Sequence, residues 1–135
     1  MKSPWEKFSL PSAAAYASGT SAEFVQTMRE VFGPLVERVE AFPAGPHAWL
    51  MSEVPGEGSL SAFFRERVAL LEPSGSLWVV FPRKPFAAQL SFPYAWLDVQ
   101  RAGLAAGLVD NKIAAFSSRL TSIRFVVPLS RRSRA

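Results

Sequence analysis

Cysteine is absent from the 135 residues, which excludes disulfides and thiolate metal sites and suits a reducing, cytoplasmic setting. Histidine occurs once, at His47, with no serine or cysteine nearby at nucleophile spacing and no His-Glu neighbour for a metal. No Gly-x-Ser-x-Gly, phosphate-loop or His-x-x-x-His pattern is present, so the usual hydrolase, nucleotide-triphosphatase and zinc-protease signatures are missing. No apolar run approaches the ~20 residues that cross a bilayer, and the segment from Met1 to Lys7 lacks the apolar stretch of a secretory signal.

What is present is a globular composition, 49% hydrophobic and 19% charged. At this length a chain buries roughly two-thirds of its unfolded surface and needs no covalent staple. The net charge is +4, but Arg131, Arg132 and Arg134 near the end supply three of those charges. The body is therefore close to neutral, and a nucleic-acid groove is not expected. The organisation expected is a lead-in over residues 1–12, one domain over 13–128 and a basic tail over 129–135. Trp5 and Phe8 should pack the lead-in onto the body.

Along the body, strand and helix signals alternate. Residues 13–17 read as a buried strand closed by Ser18-Gly19. Thr20 with Glu23 forms a capping box, followed by helical spacing through Phe24, Val25, Met28, Val31 and Phe32. Gly33-Pro34 ends that run, and the chain from Leu35 to Phe42 passes into a second strand. His47 to Ser52 is a third strand. Ser59 caps a helix striped with Leu60, Phe63, Phe64, Val68 and Leu71, which Pro73-Ser74-Gly75 breaks. Leu77-Trp78-Val79-Val80-Phe81 is a continuous apolar run, the pattern of a strand covered on both faces. A helix around residues 94–106, with Pro93 near its first turn and Gly107 at its end, leads through Leu108-Val109 to a strand over 112–116. That helix and lead-in should bury Leu104, Leu108 and Val109. A five-residue return leads to a last strand over 122–128. This implies an α/β, three-layer, Rossmann-like domain with a mostly parallel sheet and an antiparallel closing strand.

Two stretches sharpen that reading. Leu77-Trp78-Val79-Val80-Phe81-Pro82-Arg83-Lys84, and Ala106-Gly107-Leu108-Val109-Asp110-Asn111-Lys112 with Ile123-Arg124-Phe125-Val126, resemble a bacterial family catalogued as domain of unknown function 3052, over residues 73–127. Where that family opens with a strand and Gly-Ala-Pro, this chain has Ala17-Ser18-Gly19-Thr20. The resemblance implies a Rossmann-like fold related in shape to class I methyltransferases, and it brings no activity with it. The expected strand order is 2-1-3-4-6-5, with the sixth strand antiparallel between the fourth and fifth.

A dinucleotide or S-adenosylmethionine site on such a fold needs a glycine-rich first turn and an acid closing the second strand. Here the turn offers Gly19 alone, and Glu40 falls two residues short of the expected strand end. The candidate ligand residues are Ser18, Gly19 and Thr20 at the first helix start, Ser52 and Glu53 beside them, and Arg83 and Lys84 after the fourth strand, where an acidic ligand would be clamped. Asp110 and Lys112 are placed to form a modest ion pair. The expected function is a non-catalytic module with a degenerate cofactor site. It would bind a partner protein or a small anionic ligand, or form a homodimer, with no cofactor, no metal and no catalytic residue. The alternatives are an S-adenosylmethionine-dependent methyltransferase-like enzyme with a modified loop, and a weak phosphate or nucleic-acid binder using Arg83, Lys84, Arg124 and the tail.

Overall fold

The computed structural model describes residues 3–132, and the side chains only through residue 130. Six strands form one sheet: β1 (Tyr16–Ser18), β2 (Glu37–Arg38), β3 (His47–Glu53), β4 (Leu71–Pro82), β5 (Val109–Ala115) and β6 (Leu120–Val126). Their order is 2-1-3-4-6-5, as the family resemblance implies. β2, β1, β3 and β4 run parallel, and β6 is antiparallel to both β4 and β5.

One face carries α1 (Pro4–Lys7) and α2 (Ala22–Thr27), which continues as a wider π turn over Met28–Phe32 and a 3-10 turn over Gly33–Leu35. Here Phe8, Phe24, Phe32 and Phe116 pack on Trp49 and Trp78. The other face carries α3 (Leu60–Val68) and α4 (Trp96–Ala105), which bury Phe63, Phe64 and Val99 against Leu50, Leu77, Val79 and Phe125. Alternation along β4 sends Trp78 and Val80 to the first face and Leu77, Val79 and Phe81 to the second. Covering both faces is what demands an unbroken apolar run. A short α5 (Leu129–Arg132) starts within the expected tail, and Arg134 lies outside the described residues.

Several boundaries differ from the sequence reading. β1 begins at Tyr16, and Ala13 and Ala14 are exposed. β2 has two residues, because the 3-10 turn at Gly33–Leu35 uses up the chain before it. Leu71 belongs to β4, which runs through Pro73-Ser74-Gly75. Opposite them the register slips between His47 and Trp49, and that bulge absorbs residues unable to pair regularly. α4 starts after Pro93, with the Asp98 carboxylate accepting the Ala95 amide at 2.8 Å.

β5 starts at Val109 and ends at Ala115, where the sequence reading had 112–116, so Val109 is not a lead-in and Asp110-Asn111-Lys112 lie inside the strand. The register shifts between Asp110 and Lys112, so the edge strand bulges at Asn111. The two side chains do not pair: Asp110 accepts from Gln100, and Lys112 donates to the Lys7 carbonyl at 2.8 Å. Leu104 and Val109 are exposed, whereas Leu108 is buried. Gly107, at φ +94°, makes the turn between α4 and β5. Of the lead-in aromatics Phe8 is buried and Trp5 is half exposed.

Candidate functional site

The carboxyl edge of the sheet brings the first turn against the end of β3. Ser18 stands opposite Ser52 in the parallel register, so the next residues, Gly19 and Glu53, meet. The Glu53 carboxylate accepts the Thr20 amide at 2.9 Å and the Ser21 amide at 3.0 Å, and the Ser21 hydroxyl donates to its other oxygen. Ser21, not Thr20, then caps α2 by accepting the Phe24 amide at 3.2 Å. The expected capping box does not form because Glu23 is engaged elsewhere. A Cβ on Gly19 would fall 2.6 Å from the Phe24 ring and 2.8 Å from the Glu53 Cβ. The glycine therefore serves internal packing: it lets Glu53 reach the amides.

Glu23 reaches across to the start of β6. It accepts from the Ser117 hydroxyl, the Arg119 amide at 3.1 Å and the Arg119 Nε at 2.7 Å. Burial alone would raise the Glu23 carboxyl, but the Ser117 hydroxyl and the Arg119 side chain and amide outweigh it and hold it below its ordinary value. Between these two carboxylates lies a cavity of about 360 Å³, lined by Thr20, Ser21, Glu53, Phe92, Arg119 and Leu120 among others.

The other candidate residues are placed as follows. Ser18 donates to the Glu40 carbonyl at 3.4 Å. Because β2 stops at Arg38, Glu40 lies two residues beyond the carboxyl end of that strand, where the sequence reading had it two residues short. It is exposed. Ser52 is buried and turns away from the turn, accepting from Arg67 Nε at 2.9 Å. Arg83 donates to the Ser118 carbonyl at 3.0 Å and lies over Phe86. With Lys84, Trp96, Ile113 and Thr121 it borders a separate shallow depression. Ser18, Gly19, Thr20 and Glu53 thus form one site, and Arg83 and Lys84 do not join it. His47 is at the amino edge, its Nε2 2.8 Å from the Pro43 carbonyl and its ring edge-on to Tyr16.

Two participants escaped the sequence reading. Arg67 lies under the sheet, its guanidinium 4.0 Å from the Phe63 ring centre and bonded to the Phe63 carbonyl. Burial draws its pKa down, against the opposing effect of Glu66. The available signal was an arginine four residues after Phe63, on the apolar stripe of its helix. The Glu23–Arg119 pair spans too much sequence for any local pattern to reveal it. Among the described residues no group of His, Asp or Glu is placed to hold a metal ion, and no helix is long and apolar enough to cross a membrane.

No family model and no curated protein matches this sequence. Solved structures do match in shape. The antibiotic-resistance methyltransferase Kmr superposes with a TM-score of 0.50 at 19% identity, covering 91% of each chain. The aminoglycoside resistance methyltransferase NpmB1 gives 0.52 at 18%, again covering 91% of each. Geranyl diphosphate C-methyltransferase from Streptomyces coelicolor A3(2) gives 0.57 at 11%, covering 91% of this chain and 76% of that one. At such identities the likeness is one of fold, and the fold is Rossmann-like α/β of the methyltransferase type.

Proposed function

We propose that the protein is a methyltransferase-like binder of S-adenosylmethionine with a modified first turn. The observation that carries this reading is the occupation of the Thr20 and Ser21 amides by Glu53. A dinucleotide rests its pyrophosphate on free amides at a helix start, and these are taken. S-adenosylmethionine has no phosphate. It carries a sulfonium, an ammonium and a ribose diol, and the edge offers the Glu40 carboxylate to the diol and, at Thr20 and Ser21, no free amides to a phosphate. The residues therefore fit the cofactor: Glu40 for the ribose hydroxyls and Ser18-Gly19 beneath. When bound, the cofactor would supply an electrophilic methyl group. On this reading the chain belongs with the domain of unknown function 3052 family, which its residues 73–127 resemble.

Isothermal titration and thermal shift with S-adenosylmethionine, S-adenosylhomocysteine, NAD and ATP test it. The two adenosyl ligands should bind, stabilising by ~2.7 kcal/mol at a hundredfold excess over Kd, and the phosphate-bearing ligands should not. Glu40→Ala should weaken adenosyl binding about tenfold, the effect of losing a charge-assisted hydrogen bond. The same clamp also favours a second reading, a non-catalytic module whose turn is closed by its own carboxylate and which engages a protein or a second copy. A melting temperature unmoved by either adenosyl ligand would leave that reading standing and end the first.

A further inference from the structure

The cavity beside the proposed cofactor turn has a chemical character that specifies what enters it. Its apolar wall is formed by Val54, Leu90, Phe92 and Leu120. Phe92 is nearly buried and stacked on Phe81 at 5.9 Å and 24°, with Tyr94 edge-on at 5.4 Å. Phe81 and Tyr94 thereby hold the Phe92 ring in place, and the part of it that lines the cavity suits a flat ring set against it.

The polar wall holds three charges, from Glu23, Glu53 and Arg119. Arg119 is matched by Glu23 at 2.7 Å. Glu53 receives hydrogen bonds from two amides and a hydroxyl but faces no matching cation among the described residues. A carboxylate has about four acceptor positions. Three are used, so one remains for a donor arriving from the cavity. The unmatched charge is negative, and the volume is near the lower end of small-molecule sites.

We propose that this cavity binds a small planar ring bearing a protonated amine, with the ring on Phe92 and the ammonium on Glu53. The assignment of this cavity as the acceptor side of the edge rests on the S-adenosylmethionine reading; the charge selectivity rests on the cavity alone. The ammonium supplies the fourth donor to Glu53 and balances its charge, whereas a carboxylate on the same ring would meet Glu53 as a like charge.

A matched indole series tests this on the full chain at neutral pH: tryptamine, tryptophan and indole-3-propionate, measured by titration calorimetry with and without S-adenosylmethionine. Tryptamine should bind about tenfold or more tighter than indole-3-propionate, with tryptophan between. Glu53→Gln should erase that preference while leaving the ring affinity. Because that variant disturbs the α2 start, the wild-type comparison is decisive by itself. Equal or tighter binding of the acid, or no binding of any of the three at millimolar concentration, overturns the proposal. S-adenosylmethionine binding without tryptamine binding defeats only this inference. Tryptamine binding without S-adenosylmethionine binding defeats the cofactor reading and leaves the amine site.

Discussion

Gly103 makes the tightest contact that the two-faced packing of the sheet imposes on a helix. It lies in the second half of α4, where an added Cβ would fall 2.3 Å from Phe125 Cε1 and 2.6 Å from its Cζ. Gly103→Ala would ordinarily strengthen an α-helix by about 1 kcal/mol. Here the Phe125 ring would have to retreat by about 1 Å to reach normal contact. It has nowhere to go: Phe125 is fully buried and edge-on to Phe64, itself fully buried, at 5.2 Å. Overpacking of this kind costs about 1–3 kcal/mol, and a displacement this large belongs at the upper end. The net loss is then about 2 kcal/mol, a fall in Tm of roughly 6–10 °C for a domain of this size. Chemical and thermal denaturation of Gly103→Ala measure it directly. Adding Phe125→Leu removes the opposing ring atoms, so the double variant should lose less than the sum of the singles by about 1 kcal/mol or more. A Gly103→Ala protein that melts at or above the parent temperature would refute the packing argument.

Trp49 and Trp78 form a second test, since both are fully buried but only Trp49 Nε1 has an acceptor, the Phe8 carbonyl at 2.8 Å. In urea denaturation Trp49→Phe should cost about 1–2 kcal/mol more than Trp78→Phe, because it strands a buried carbonyl while the other change deletes an unpaired donor. Glu23 is held below its ordinary value, so its contribution is complete above about pH 4.3, the unfolded value, and is lost as pH falls through the lower folded value. The stability gap between the parent and Glu23→Gln should therefore be present at neutral pH and close in acid; a gap independent of pH would contradict the pairing with Ser117 and Arg119. Gly19→Ala should cost about 2 kcal/mol by overpacking and should weaken adenosyl binding, because its Cβ would push Glu53 off the turn amides. An unchanged melting curve would show that Glu53 is not held as described.

The elements were legible because their determinants are local, and their order in the sheet followed from the family resemblance. The apolar run Leu77–Phe81 marks the central strand, Ser59 caps α3 through the Ala62 amide, and Gly107 stops α4. The boundaries failed where pairing overrides composition. Pro73-Ser74-Gly75 reads as a breaker yet continues β4, because β4 itself bulges there, with four residues between partners that are two apart on β3, and β5 starts at Val109, before the expected Lys112, with an irregular edge at Asn111. At the site, the turn residues were legible from their types. Their use was not, because it depends on Glu53, 33 residues from Thr20 in sequence. The place of Glu40 relative to β2 was misread for a similar reason: it depends on where β2 stops pairing with β1.

Phe8 touches Phe32, Trp78 and Phe116, and the neighbouring Lys7 carbonyl is held by Lys112. The segment around Phe8 therefore cannot settle until a stretch about a hundred residues later has been made. Until Phe116 arrives, Trp78 and Phe32 lack their cover, and that side of the sheet stays open to solvent and to other chains. A nascent chain halted before residue 112 should accordingly bind hydrophobic dyes and chaperones, and release them only after β5 has been made.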